Sequence, residues 1–245
     1  MTIDAIVLDV LSNAIINENA LTLTGQLDRK LYESTNKVLE AAGGKWNRKA
    51  KAHLFDGDAA EIMDAIILTG QVTNKKSELG YFPTPKSVVD RLLELAEIEP
   101  RMAVLEPSAG QGAIAEEVLK TTRNVLLLEI DQKNAEILEK RTDAAVGQVD
   151  FLQVTPTPVY DRVVMNPPFA RQVDIQHVRH AYQFLRPGGR LVSVMSAGVS
   201  FRTNKLTTEF RQFVKDHDGT IEPLPEGSFL ESGTGVNTVI VPLEA

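Results

Sequence analysis

Val163-Val164-Met165-Asn166-Pro167-Pro168-Phe169 is the stretch whose reading decides the fold. Three apolar residues suit a buried parallel strand. The two prolines then remove two N–H donors and fix φ, so the strand stops and the turn after it is stiff. Such a turn holds the Asn166 amide and the neighbouring backbone carbonyls outward at the carboxyl edge of a sheet, where open α/β sheets bind ligands. Fixed carbonyl oxygens suit the two N–H donors of a planar amino group, and Phe169 offers that group's ring a flat apolar wall. The plainer alternative is a strand followed by a Pro-Pro loop, with Phe169 in the core.

Upstream segments repeat the same strand-tip pattern. Met102 to Leu105 reads as a buried strand running into Glu106-Pro107-Ser108-Ala109-Gly110-Gln111-Gly112. Gly110 and Gly112 let backbone approach a ligand where a Cβ would clash. The loop lacks the third glycine of a dinucleotide fingerprint and the Gly-Lys-Ser/Thr of a P-loop. Its acid argues for a cationic or hydroxyl-bearing ligand rather than a pyrophosphate. Val125 to Leu128 forms the next strand and ends at Glu129-Ile130-Asp131. An acid about 20 positions after a glycine loop accepts from ribose hydroxyls, and Glu129 is the better candidate because Asp131 suits a helix N-cap. A short third strand near Ala145-Val146 leads to Asp150-Phe151; Asp150 could accept from an exocyclic amine, and Phe151 or Ile130 could flank a purine. Each residue alone is as well explained as a capping acid or core aromatic. Three such loops at three successive strand tips are not.

Downstream, the pattern predicts a helix from about Ile175 to Leu185, closed by Pro187-Gly188-Gly189, a strand over Leu191–Met195, a helix from Glu209 to Asp216, and last strands at Ile221–Pro223 and Val236–Val241 with one antiparallel. Phe229 and the Ser232–Gly235 turn fall near the same sheet edge. His177 and His180 lack the further ligands of a zinc set and read as structural; no metal is expected. Ahead of the sheet, Phe82-Pro83-Thr84-Pro85 opens a helix through Leu95, with Thr84 as N-cap or as a contact for an anionic group.

Residues 1–77 read as a small α+β appendage of β-α-β-α type, followed by a polar linker over 70–80. Asp28 caps a helix carrying Leu31, Tyr32, Thr35, Val38 and Leu39 on one face, and a second helix runs from Asp58 to Leu68. Lys45 to Lys51 holds four basic residues in seven around Trp46. It is either a phosphate-contacting loop, with Lys45 and Arg48 beside a stacking ring, or a solvated turn whose Trp46 packs on the core.

The 245 residues accommodate one α/β domain plus the appendage, with the sheet domain at 78–245. Composition is that of an ordinary globular chain, 43% hydrophobic and 24% charged, and the absence of Cys excludes disulfides and thiolate chemistry. A net charge of -7 requires any nucleic-acid contact to use a local basic patch. No apolar run approaches membrane-spanning length and no leader pattern is evident, so no membrane contact and a cytoplasmic location are expected.

Taken together, these motifs resemble the class I S-adenosylmethionine-dependent methyltransferases, and within them the N6-adenine DNA methyltransferases. The resemblance covers about residues 80–245; residues 1–77 are more weakly similar to N-terminal segments of small phage and prophage methyltransferases. It implies a seven-stranded, Rossmann-like, mostly parallel sheet and S-adenosyl-L-methionine as cofactor. Phe82, Thr84, Glu106, Ser108, Ala109, Gly110, Gly112, Glu129, Ile130, Asp150, Phe151 and Asn166 would then form the cofactor site. Asn166, Pro167 and Phe169 would be catalytic, and Phe169, Phe229, Lys45, Trp46 and Arg48 would meet the substrate. DNA adenine is the implied target. An rRNA base or a protein glutamine is the alternative, and a non-catalytic cofactor-binding adaptor a third. Only about 75 residues follow the Asn-Pro-Pro-Phe turn, against the large recognition domain of many DNA methyltransferases, so recognition is expected to fall to residues 1–77, to loops near Arg171 and Arg202–Lys205, or to a partner.

Overall fold

The computed structural model describes residues 3–72, 82–232 and 235–245. The chain divides into two units: Met1–Leu79 with Gly198–Glu209, and Gly80–Ala197 with Phe210–Ala245. Most of the expected linker at 70–80 and part of the Ser232–Gly235 turn lie outside the described residues.

In the first unit the order is α1 (Ala5–Ser12), β1 (Ile15–Asn17), β2 (Ala20–Thr22), α2 (Arg29–Ala41), β3 (Lys45–Asn47), β4 (Ala52–Leu54) and α3 (Ala59–Thr69). The four strands form an antiparallel sheet ordered β1-β2-β4-β3. A helix followed by a hairpin therefore occurs twice, and the expected β-α-β-α pattern is corrected. The missed strands are three residues long, too short for a period-two signal. Asp28 accepts from Leu31 N at 2.9 Å and Asp58 from Ala60 N at 2.8 Å, so both helices start where their caps predict. Gly70, assigned by sequence to the linker, instead ends α3 in the left-handed region at φ 63°. Tyr32, expected on the inner face of α2, is exposed; the core is Leu8, Leu11, Leu21, Val38, Leu39, Met63 and Ile66 with their neighbours. The segment after the long ninth strand returns to this unit through α8 (Gly198–Phe201): Phe201 packs on its core, and Thr203 N donates to Asp9 Oδ1 at 2.8 Å.

The second unit contains α4 (Lys86–Ala96), β5 (Val104–Glu106), α5 (Ala115–Val118), β6 (Val125–Glu129), α6 (Gln132–Arg141), β7 (Ala145–Gln148), β8 (Tyr160–Met165), α7 (Val173–Tyr182), β9 (Leu185–Ser196), β10 (Glu222–Pro223) and β11 (Thr238–Glu244), while α9 (Lys205–Asp216) spans the division. The seven strands are ordered β10-β11-β9-β8-β5-β6-β7, parallel from β9 through β7, with β11 antiparallel to both its neighbours. This is the α/β sheet expected from sequence. Val163, Val164 and Met165 are fully buried in β8, each contributing about 1.5–3 kcal/mol of burial. Pro187-Gly188-Gly189, read as a helix stop, lies inside β9, where the pairing with β8 slips between Tyr160 and Arg162.

Helix α4 is tied down at its C-terminal end. Arg162 of β8 donates to Ala96 O and Glu97 O at 2.5 and 3.3 Å, and Arg190 of β9 donates to Leu95 O at 2.9 Å. These guanidiniums satisfy helix carbonyls that have no intrahelical partner.

In the first unit Gly44 has no room for a side chain: a Cβ there would lie 2.7 Å from Phe55 Cζ and 2.9 Å from Leu39 O. Gly44→Ala is expected to destabilise this unit by about 1–3 kcal/mol, read as a lower midpoint in chemical denaturation at unchanged slope.

Candidate active site

The carboxyl edge of the second sheet gathers the tips of β5, β6, β7 and β8. At β8, Asn166 follows Met165 and its Nδ2 donates to Thr84 Oγ1 at 3.0 Å, while Asn166 Oδ1 is buried without a hydrogen-bond partner. Thr84 therefore does not cap α4, as expected; the N-cap is Pro85 and makes no side-chain cap bond. Instead Thr84 sets which end of the amide is left free. Ser232 Oγ donates to Pro83 O at 2.5 Å and steadies the segment that carries it. The chain leaving the Pro-Pro turn passes through two consecutive left-handed residues, Arg171 (φ 53°) and Gln172 (φ 60°), before α7 begins. Non-glycine residues pay about 1 kcal/mol or more each for that conformation, so the turn after Phe169 is held by its surroundings.

At β5 and β6 two carboxylates flank the glycine loop. Glu129 accepts from Gly110 N at 2.7 Å through Oε2 and from Asp131 N at 2.8 Å through Oε1, locking the loop to the tip of β6. Asp131 caps α6 through Asn134 N at 3.0 Å, as its position predicts. Glu106 is 1% exposed and its Oε2 has no partner. Burial, and then the neighbouring Glu129 charge, push its carboxyl well above the usual carboxylate range. Gly110 and Gly112 take φ of 54° and 95°, conformations that a side chain would strain. Ser108 is half-buried beside them, and Ala109 N donates to Leu128 O at 3.0 Å.

Three of the aromatic rings expected at the site are buried. Phe151 is 3% exposed and packs among His177, His180 and Phe184, with ring centroids 4.8 to 5.8 Å away, so it cannot flank a purine from the open side. Phe229 is fully buried and Phe169 is 6% exposed. Sequence position placed these rings at the correct edge, but burial is decided by packing partners that lie far away in the chain. Ile130 is the apolar group left at the edge, 66% exposed at the tip of β6. Asp150 uses one oxygen to cap the turn at Phe151 through Leu152 N at 3.0 Å. Phe82 is half-buried at the start of the described segment. Lys45, Trp46 and Arg48 belong to the other unit, where Lys45 and Trp46 lie on a strand rather than in the expected loop. The two arginines that anchor α4 went unpredicted, since a lone Arg inside a strand carries no sequence signal. The same holds for Ser232.

This edge presents two buried acceptors or donors without partners, a carboxylate-braced glycine loop and one exposed apolar side chain. A ligand with amino and hydroxyl donors and a flat ring fits that set.

Residues 67–178 match the family model for ribosomal RNA adenine dimethylase. A ribosomal RNA small subunit methyltransferase A of Thermotoga maritima is 29% identical over 119 residues, 46% of this chain and 43% of that protein. A type II methyltransferase of Paramecium bursaria Chlorella virus XZ-6E is 30% identical over 107 residues, 42% of this chain and 28% of that one. The matched segment thus spans less than half the length of these relatives. Among solved structures, a dimethyladenosine transferase from Plasmodium falciparum superposes with TM-score 0.54 at 18% identity, covering 67% of this chain and 63% of that one. The M protein of type I restriction enzyme EcoKI gives 0.57 at 16% identity, covering 97% and 56%.

Glu106 supplies a test of the edge's electrostatics. Its raised value in the folded state means that its contribution to stability is full at acidic pH and is lost as the pH rises through and above the usual carboxylate range. Glu106→Gln is therefore expected to raise Tm relative to the parent more at pH 8 than at pH 5, at about 1.4 kcal/mol for each pH unit that the parent carboxyl is shifted. An equal effect at both pH values would show that Glu106 is already ionised.

The chain has the fold of the class I S-adenosylmethionine-dependent methyltransferases.

Proposed function

We propose that the chain transfers the methyl group of S-adenosyl-L-methionine to the exocyclic N6 amine of adenine in nucleic acid, with DNA as the substrate. The observation that carries this is Asn166: a buried, unpaired Oδ1 whose companion Nδ2 is held by Thr84. The sulfonium supplies a strong methyl donor, so the residues have to position rather than activate. Asn166 Oδ1 and the Pro167 carbonyl accept the two N6 hydrogens, which favours the pyramidal amine and stabilises the positive charge that builds on nitrogen during attack. Glu129 receives the ribose hydroxyls on the lone pairs that its loop amides leave over. Asp150 receives the cofactor's adenine amine, and Ile130 covers that ring. Glu106, Ser108, Thr84 and the backbone from Ala109 to Gly112 hold the methionine end, with Phe82 beside them. Phe169 braces the turn from beneath in place of stacking on the base. A cytoplasmic site of action follows from such a substrate.

RNA adenine is the second reading, favoured by the match of residues 67–178 to the rRNA dimethylase model. Incubation with labelled cofactor and either unmethylated genomic DNA or unmodified ribosomal RNA, followed by nucleoside analysis, separates the two. Label in N6-methyldeoxyadenosine supports the first reading, label in N6-methyladenosine the second, and label in neither overturns both.

Asn166→Ala should lower methyl transfer by about 100- to 1,000-fold while cofactor affinity changes by less than about threefold; joint loss of both would remove Asn166 from the substrate side. Thr84→Val deletes one hydrogen bond to the amide and should cost about tenfold in kcat. Thr84→Ser should stay near the parent rate, and equal losses in both variants would mean that the hydroxyl does not orient Asn166.

A further inference from the structure

The first unit carries a concentration of charge that the second unit's chemistry does not use. Residues 28–54 hold seven Lys and Arg against three Asp and Glu, a net of +4 in a chain whose total is -7. The acids of this segment are engaged locally. Asp28 caps α2, Glu33 pairs with Arg29 at 2.7 Å, and Glu40 accepts from Asn36 Nδ2 at 2.7 Å. Lys30, Lys37, Lys45, Arg48, Lys49 and Lys51 are all exposed, and none has an ion-pair partner among the described residues. A segment whose acids are paired and whose cations are not presents positive charge to solvent.

Four of these cations, Lys45, Arg48, Lys49 and Lys51, share the β3–β4 hairpin with an exposed aromatic ring. Trp46 lies on β3, an edge strand, directly across from His53 on β4, with ring centroids 5.1 Å apart. His53 is buried, and its Nε2 meets Asn36 Oδ1 of α2 at 2.8 Å. Glu40, Asn36 and His53 thus form a fixed chain that underlies the indole and joins the hairpin to α2. The Trp46 ring itself is 52% exposed, and Tyr32 stands exposed on the same helix as Lys30 and Lys37. A large ring left open at this cost in apolar exposure, on a hydrogen-bonded base and in a hairpin that carries four exposed cations without ion-pair partners among the described residues, has the makings of a stacking site.

We infer that the α2 face and the β3–β4 hairpin form a binding surface for unpaired nucleotides, with Trp46 stacking on a base and Lys45, Arg48 and Lys37 meeting the adjoining phosphates. Duplex interiors hide base faces from a ring on an edge strand, whereas single strands, loops and extruded segments expose them. This surface rests on the proposed nucleic-acid function for its role, but its binding is independent of the cofactor edge and is tested without cofactor.

Trp46 is the single tryptophan of the chain, so intrinsic fluorescence reports this surface alone. Titration of the full chain with twelve-residue oligo-dT and oligo-rU, and with a blunt-ended duplex of twelve base pairs, should quench Trp46 emission with the single strands and leave it unchanged with the duplex. The affinity should weaken roughly tenfold or more between 50 and 200 mM salt, as release of about three counterions requires. The double variant Lys45→Ala/Arg48→Ala, both exposed positions, should lose at least about fivefold in affinity with an unchanged Tm. Preference for dT over rU, or the reverse, identifies the polynucleotide. Absence of quenching up to 100-fold molar excess, equal quenching by duplex, or binding unaffected by the double variant each overturns the inference. Quenching in a protein that transfers no methyl group to DNA or RNA leaves the surface standing and refutes the proposed function. Methyl transfer without quenching does the opposite.

Discussion

The hydrogen bond from Asn166 Nδ2 to Thr84 Oγ1 is the interaction on which the site's arrangement turns. Pro167 and Pro168 break β8 at the sheet edge, but they do not decide which way the Asn166 amide faces. Thr84 does, and Thr84 is delivered by α4, a helix anchored at its far end by Arg162 and Arg190. Eleven helical residues rise about 16 Å, and the four residues from Arg162 to Asn166 in β8 extend about 13 Å. The helix and strand therefore run side by side over matching lengths, tied at one end by guanidiniums and at the other by the Thr84–Asn166 bond. The free Oδ1 at the open end is a consequence of that closure.

The same edge shows how acids are kept useful in a buried setting. Glu129 remains tolerable because two backbone amides donate to it, and in doing so it fixes the loop carrying Gly110. Glu106 leaves its Oε2 without a partner, and burial and the Glu129 charge raise its carboxyl well above the usual range.

The sheet was legible because its strands carry uninterrupted apolar runs that end in loop residues with distinct physical signatures: Asn before Pro-Pro, glycines after an acid, and an acid at the next tip. Those signals are local. What the sequence did not reveal depends on distant partners. The burial of Phe151 follows from His177, His180 and Phe184. Thr84 satisfied a cap pattern, yet its hydroxyl is claimed by a residue 82 positions away. In the first unit, three-residue strands left no periodicity to read, and a basic edge strand passed for a loop.

The central claim is that Asn166 presents its oxygen to an adenine amine while Thr84 holds its nitrogen. A crystal structure of the chain with a non-transferring cofactor analogue and an adenine-containing oligonucleotide tests it most directly. The account predicts Asn166 Oδ1 within about 3.2 Å of the adenine N6, with the Thr84 bond to Nδ2 retained. An adenine amine bound elsewhere, or an amide turned so that its nitrogen faces the base, would contradict it.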